Sequence, residues 1–139
     1  LAIKNRIKLQ PGLTHPAVAN FVNDAIGHNM ATEVVLYYSP YAFGTADAVK
    51  YEPPTKENPR GFLRIHDLKT GVTKPKMEQL MVYAAYFFIE YAVKPEKTDM
   101  ELRIYQGPDI QYHYPEAEDI YYIIHSIKEF SSILENIPR

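Results

Sequence analysis

Two aspartates and a lysine carry the clearest chemical signal in this chain: Asp47 in Gly44-Thr45-Ala46-Asp47, and Asp67 and Lys69 in His66-Asp67-Leu68-Lys69. Asp67 and Lys69 stand two apart. On an extended backbone both side chains therefore project from one face, while His66 and Leu68 turn to the other. A neighbouring strand of a hairpin can bring Asp47 beside that pair. Two carboxylates and an adjacent backbone carbonyl, such as that of Leu68, make an all-oxygen donor set suited to Mg²⁺ or Mn²⁺. A cation of this kind acidifies bound water and polarises a phosphate oxygen, and a nearby ammonium orients the nucleophile and offsets developing negative charge. The chemistry such residues serve is metal-assisted hydrolysis of a phosphodiester.

An Asp-x-Lys pair is common on solvated surfaces, so its weight comes from its company. Gln79 and Tyr83 follow ten and fourteen residues after Lys69. Four apart on a helix, they share a face, and a helix that begins just after the Asp-x-Lys strand can set its first turns beside the site. There the pair can brace the lysine and the metal ligands, or touch a nucleic-acid backbone. His66 adjoins Asp67, but alternation sends it to the opposite face, towards packing rather than ligation.

The elements that must position these residues are legible in the periodicity. Thr14-His15-Pro16 reads as a helix start, with Thr14 as cap and Pro16 in the first turn. Val18, Phe21, Val22, Ala25 and Ile26 then recur at helical spacing. Glu33 to Tyr38 is β-branched and aromatic and reads as a strand. After a Ser39-Pro40 turn, a weaker strand spans Thr45 to Tyr51, and the proline-rich stretch from Glu52 to Pro59 reads as a surface loop. Phe62 to Leu68 is a third strand. Pro75 to Ala92 has the spacing of a buried helix, Met100 to Tyr105 and Ile110 to Tyr114 read as paired strands, and Glu116 to Leu134 as a closing helix. The order predicts one α/β domain over residues 1–139, with a mixed central sheet flanked by helices.

Composition bounds the alternatives. The 139 residues suffice for one domain with a real core, and a 46% hydrophobic content with 12 Tyr and 6 Phe excludes a disordered chain. With no cysteine, disulfides, thiolate zinc sites, iron–sulfur clusters and cysteine nucleophiles are excluded. A formal net charge of −2 speaks against a non-specific nucleic-acid coat, so local charge must steer any anionic substrate. Lys74 and Lys76 sit where a helix start normally favours acidic residues, and can grip phosphates near the site. Tyr112, Tyr114, Tyr121 and Tyr122 can stack bases, or pack the last helix or a subunit contact. No apolar run approaches the roughly 20 residues that span a bilayer, and no signal-peptide pattern opens the chain. Leu1 in place of Met reads as a fragment or a processed form. The default expectation is a cytoplasmic protein without a membrane partner.

The strings Gly44-Thr45-Ala46-Asp47, Arg64-Ile65-His66-Asp67-Leu68-Lys69-Thr70-Gly71 and Gln79-Leu80-Met81-Val82-Tyr83 together resemble the PD-(D/E)XK nuclease superfamily, in its RecB-type branch. That branch typically shows a Gly-x-x-Asp strand, an Asp-x-Lys-(Thr/Ser) strand and a downstream Gln-x-x-x-Tyr helix. The resemblance covers roughly residues 12 to 106. It implies a restriction-endonuclease-like core with αβββαβ order and a divalent-metal-dependent deoxyribonuclease using Mg²⁺ or Mn²⁺. It further implies Asp47, Asp67 and the Leu68 carbonyl as metal ligands, Lys69 as the catalytic lysine, and Gln79 and Tyr83 as its support. The family's histidine at the first helix corresponds to His15, although Gly12-Leu13-Thr14-His15 is one residue shorter than its Gly-x-x-x-His, and its glutamate before the first strand corresponds to Glu33. The short form without helicase segments is similar to stand-alone members of viruses, phages and mobile elements, placing it in the host cytoplasm if viral. The implied partner is single- or double-stranded DNA, with a homo-oligomer as one way to build a channel. A junction-resolvase-like, structure-selective endonuclease and a non-catalytic binding module on the same fold are the alternatives to such an exonuclease-like enzyme.

Overall fold

The computed structural model describes residues 15–72 and 74–137. Along the chain run α1 (Pro16–Gly27), β1 (Ala31–Ser39), β2 (Ala42–Glu52), β3 (Gly61–Lys69), α2 (Met77–Glu90), a 3-10 turn (Pro95–Lys97), β4 (Thr98–Gln106), β5 (Asp109–His113) and α3 (Ala117–Glu135). The five strands form one mixed sheet in the order β1-β2-β3-β4-β5. Antiparallel pairing joins β1 to β2, β2 to β3, and β4 to β5. β3 and β4 are parallel, with Gly61 opposite Thr98 and Lys69 opposite Gln106. A parallel pair needs a crossover rather than a hairpin, and α2 supplies it.

Two apolar layers close the sheet. Leu63 and Ile65 of β3 and Leu102 and Ile104 of β4 pack with Leu80, Ala84, Phe87 and Phe88 of α2 and Ile120 of α3. The other face meets α1 through Phe21, Val22 and Ala25, which pack with Ala48, Met30 and Tyr105. Central strands are thus covered on both sides. Because β3 alternates, Asp67 and Lys69 face the α2 side together with Leu63 and Ile65, and His66 faces α1.

Several local details depart from the sequence expectation. The proposed cap Thr14 lies outside the described residues. His15 caps α1 instead, its Nδ1 accepting the Ala17 N–H at 3.2 Å. Pro16, which has no N–H to satisfy, fills the first helical position. The strand expected to be weak, β2, is the longest at 11 residues. Propensity understates it because it lies between two antiparallel partners. α2 is two residues shorter at each end than the periodicity suggests. Lys76 is still extended at its start, and Ala92 at φ 54° turns the chain away after its end.

Glu33 adopts φ 53° within β1, a left-handed conformation rare for a residue with a Cβ. It is the residue of β1 that stands across from Asp47 if the surrounding register, Thr32 to Ala48 and Val34 to Ala46, is carried through. The N–H of Tyr37, further along β1, donates to Glu90 Oε2 at 3.3 Å.

Candidate functional site

Asp47 and Asp67 meet because β2 and β3 are antiparallel. Their register runs from Glu52 opposite Phe62 to Ala48 opposite His66, and one further step sets Asp47 across from Asp67. Asp47 Oδ2 accepts the Leu68 N–H at 2.8 Å, which pins the carboxylate at the end of β3. Burial, above all, pushes the Asp47 carboxyl up to about 6, aided by a hydrogen bond and charge repulsion from Asp67, while the Leu68 N–H and Lys69 oppose the shift. Across a half-buried hairpin the charge of Asp67 makes ionisation of Asp47 more costly, which adds to the effect of burial.

Asp67 is only 5% exposed. Lys69 Nζ stands 2.9 Å from its Oδ2 in an ion pair. The contact lacks hydrogen-bond alignment, so this buried oxygen accepts no hydrogen bond among the described residues. A buried carboxylate oxygen without an aligned donor is costly. It retains a lone pair for another Lewis acid.

Lys69 extends the arrangement to α2. Its Nζ donates to Gln79 Oε1 at 3.3 Å, and Gln79 Nε2 donates to the Tyr83 hydroxyl at 2.9 Å. An ammonium can only donate, so it selects the oxygen end of the Gln79 amide and leaves the nitrogen end for Tyr83. The close ion pair with Asp67, and then the charge of Asp47, hold the Lys69 pKa above its ordinary value, against desolvation. Lys69 is therefore an ammonium at neutral pH, a donor and a source of positive charge rather than a base. Burial, then Asp67 and Asp47, raise the Tyr83 phenol and keep it neutral, with Lys69 and Gln79 pulling the other way.

Gly44 has a role here that its place in the sequence motif did not explain. A Cβ at this position would lie 2.5 Å from Tyr83 Cε1. The missing side chain lets the Tyr83 ring lie against β2 and reach Gln79.

The structure thus brings Asp47, Asp67, Lys69, Gln79 and Tyr83 into one line of contacts, with Leu68 supplying its N–H to Asp47 and its side chain to the α1 layer. His15 and Glu33 do not join them. His15 spends its Nδ1 on the helix cap, Glu33 is exposed on β1, and no group of three or more His, Cys, Asp or Glu among the described residues is arranged to hold a metal. His28 lies on the other side of the sheet, its ring edge-on to that of His66 at 5.8 Å.

Behind the site, under α1, lies a polar cluster that sequence reading missed. Tyr105, fully buried, donates its hydroxyl to Asp24 Oδ2 at 2.6 Å and lies 3.3 Å from His66 Nδ1. Arg103 Nη1 reaches both Asp24 Oδ2 and the Tyr105 hydroxyl at 3.2 Å, and its Nε pairs with Glu101. Arg64 joins Glu101 at 2.8 Å. Burial, followed by Arg103, His28 and Arg64, pushes the His66 pKa down to about 3. The signal was present as alternation: Glu101, Arg103 and Tyr105 share one face of a strand whose other face is apolar.

Compared with known proteins, the chain matches no family model, no curated protein and no solved structure. Among the described residues, no helix is long and apolar enough to cross a membrane.

Proposed function

We propose that this chain is a divalent-metal-dependent nuclease that hydrolyses DNA phosphodiester bonds, on a restriction-endonuclease-like core of the PD-(D/E)XK type. The observation that carries the reading is the pairing of Asp47 with Asp67, whose buried Oδ2 lacks an aligned donor, beside an ammonium on the same strand face. The element order and the Lys69–Gln79–Tyr83 relay support it. A hard cation fits this donor set: Mg²⁺ is commonly held by one or two carboxylates, with waters and substrate phosphate completing its shell. Asp47, Asp67 and the Leu68 carbonyl are the proposed ligands.

A bound Mg²⁺ or Mn²⁺ would supply an acidified water and charge neutralisation at the phosphate. The chain's own residues do the rest. Asp47 and Asp67 would hold the cation through their carboxylate oxygens, which would relieve the repulsion between them. Lys69, freed from full pairing with Asp67, donates towards the attacking water or a phosphate oxygen and offsets the charge that develops there. Gln79 fixes the Lys69 ammonium through its amide oxygen, and Tyr83 fixes Gln79, so the donor needs no reorganisation as charge develops.

The test is cleavage of linear and single-stranded DNA by the purified protein with Mn²⁺. Asp67→Ala should reduce cleavage to background, and Lys69→Ala should lower kcat by about 10²–10³-fold, both with unchanged circular dichroism. Equal inactivity of wild type and both variants across DNA and RNA substrates would sink the proposal. End-labelled substrates in the same assay read polarity.

A further inference from the structure

We propose that the cleft at the entry to α2 binds a backbone phosphate of the DNA strand, adjacent to the phosphate cleaved at Asp67 and Lys69. This rests on the nuclease reading above. The cleft, about 710 Å³, is lined by Lys74, Pro75, Lys76, Met77 and Glu78, with Gln111 of β5 across from them.

Lys74 and Lys76 are exposed, and neither makes an ion pair or side-chain hydrogen bond among the described residues. Their position is electrostatically unfavourable in the isolated chain. The start of a helix carries partial positive charge that disfavours cations, and Lys76, the residue preceding α2, provides no side-chain cap. One acid, Glu78, stands in the first turn. It leaves the cleft with two cations against one anion, in a chain whose formal net charge is −2. An anionic ligand turns these repulsive terms into attractive ones.

The lining of the cleft adjoins the site along the chain, since Glu78 is followed by Gln79. Gln79, next to Glu78 in the first turn of α2, accepts from Lys69 at 3.3 Å. Lys76 stands one turn before Gln79, whose N–H donates to the Lys76 carbonyl at 3.2 Å. A DNA strand advances about 3.4 Å per nucleotide along the duplex axis, so a strand reacting at Lys69 carries a neighbouring phosphate past this turn. Gln106 Nε2 donates to the Gly71 carbonyl at 2.7 Å and ties that residue to the end of β4.

The experiment measures binding of a fluorescent 20-nucleotide single-stranded DNA by anisotropy, with Ca²⁺ replacing the catalytic ion, at several salt concentrations. Lys74→Ala with Lys76→Ala should weaken binding about tenfold near 0.1 M salt and make the log–log salt slope shallower by about 1.4, the value for two lost phosphate contacts on a single strand. The control Lys56→Ala with Lys94→Ala removes the same charge elsewhere and should stay within about twofold of wild type. Lys74→Arg with Lys76→Arg should retain the slope. An unchanged affinity in the first double variant, or an equal loss in both alanine pairs, overturns the phosphate site. Cleavage of the same oligonucleotide in Mn²⁺ separates the two claims. Wild type that cuts while the first double variant binds normally defeats the phosphate site alone. Wild type that cuts nothing defeats the nuclease reading, and the binding comparison still decides the phosphate site.

Discussion

Asp47 carries an energetic conflict that only a ligand resolves. Its pKa of about 6 lies above the unfolded value of 3.8, so between these values the folded chain holds a proton the unfolded chain has released. This contribution to stability is complete below pH 3.8 and is lost as the pH rises through about 6. At pH 7.5 the metal-free protein therefore carries two carboxylates in mutual repulsion. Asp47→Asn keeps an oxygen for the Leu68 N–H and removes the repulsion. Its metal-free Tm at pH 7.5 should exceed that of wild type, by about 2–4 °C per kcal/mol recovered, while Mn²⁺ should no longer raise it; an unchanged or lower metal-free Tm contradicts the repulsion. Gly44→Ala tests the opposite end of the relay. Its Cβ displaces the Tyr83 ring, so Gln79 loses its anchor and cleavage should fall about tenfold with the metal-induced Tm rise intact. Full activity in that variant would show that the ring is not needed. At this scale the sequence was informative where strand alternation and helical spacing place side chains on one face, as for Asp67, Lys69, Gln79 and Tyr83. It was uninformative for His15 and Glu33, whose surroundings depend on which loop ends and strand edges meet in space.

The elements are held in place by different physics on the two faces of the sheet. α2 packs through an apolar surface, whereas α1 adds a hydrogen-bonded cluster in which Tyr105, Asp24 and Arg103 satisfy one another. Tyr105→Phe removes the hydroxyl between Asp24 and His66 and should cost about 1–3 kcal/mol in urea unfolding, with Mn²⁺ affinity retained. A loss of metal affinity instead would mean that this cluster also sets the geometry of Asp67. The same face predicts an acid limit. The His66 pKa is depressed to about 3 from 6.5, so its contribution to stability is present above pH 6.5 and is lost as the pH falls towards 3. Unfolding midpoints should fall through that window, and less steeply in His66→Gln. Element order and type were readable from periodicity, since α1, α2 and α3 show helical spacing and β1, β3 and β4 are β-branched or alternating. The extent of β2 was not, because its two flanking partners lie outside any local window. The cluster under α1 went unread for a similar reason: charged residues on a strand look solvent-facing until a helix from elsewhere in the chain covers them.

As a whole the molecule offers little electrostatic attraction to a polyanion, having a formal net charge of −2 and two acids in its proposed site. Long-range steering is thus weak, and DNA affinity should depend on the divalent ion itself. Oligonucleotide binding in EDTA should be at least about tenfold weaker than in Ca²⁺; equal binding in both would locate the contact surface away from Asp47 and Asp67. The outermost strand raises a separate matter of solubility. Val34 to Tyr38 of β1 is an uncharged, β-branched and aromatic run at the border of the sheet, with Val35 and Tyr37 exposed, the type of segment that recruits further strands into fibrils. Two glutamates obstruct that recruitment. The left-handed backbone at Glu33 breaks the straight border just before the run, and Glu90 occupies the Tyr37 N–H that an incoming strand would use. A bent backbone and a capped N–H thereby act as gatekeepers against self-association, a use of two acidic residues in this chain that has nothing to do with metal or phosphate.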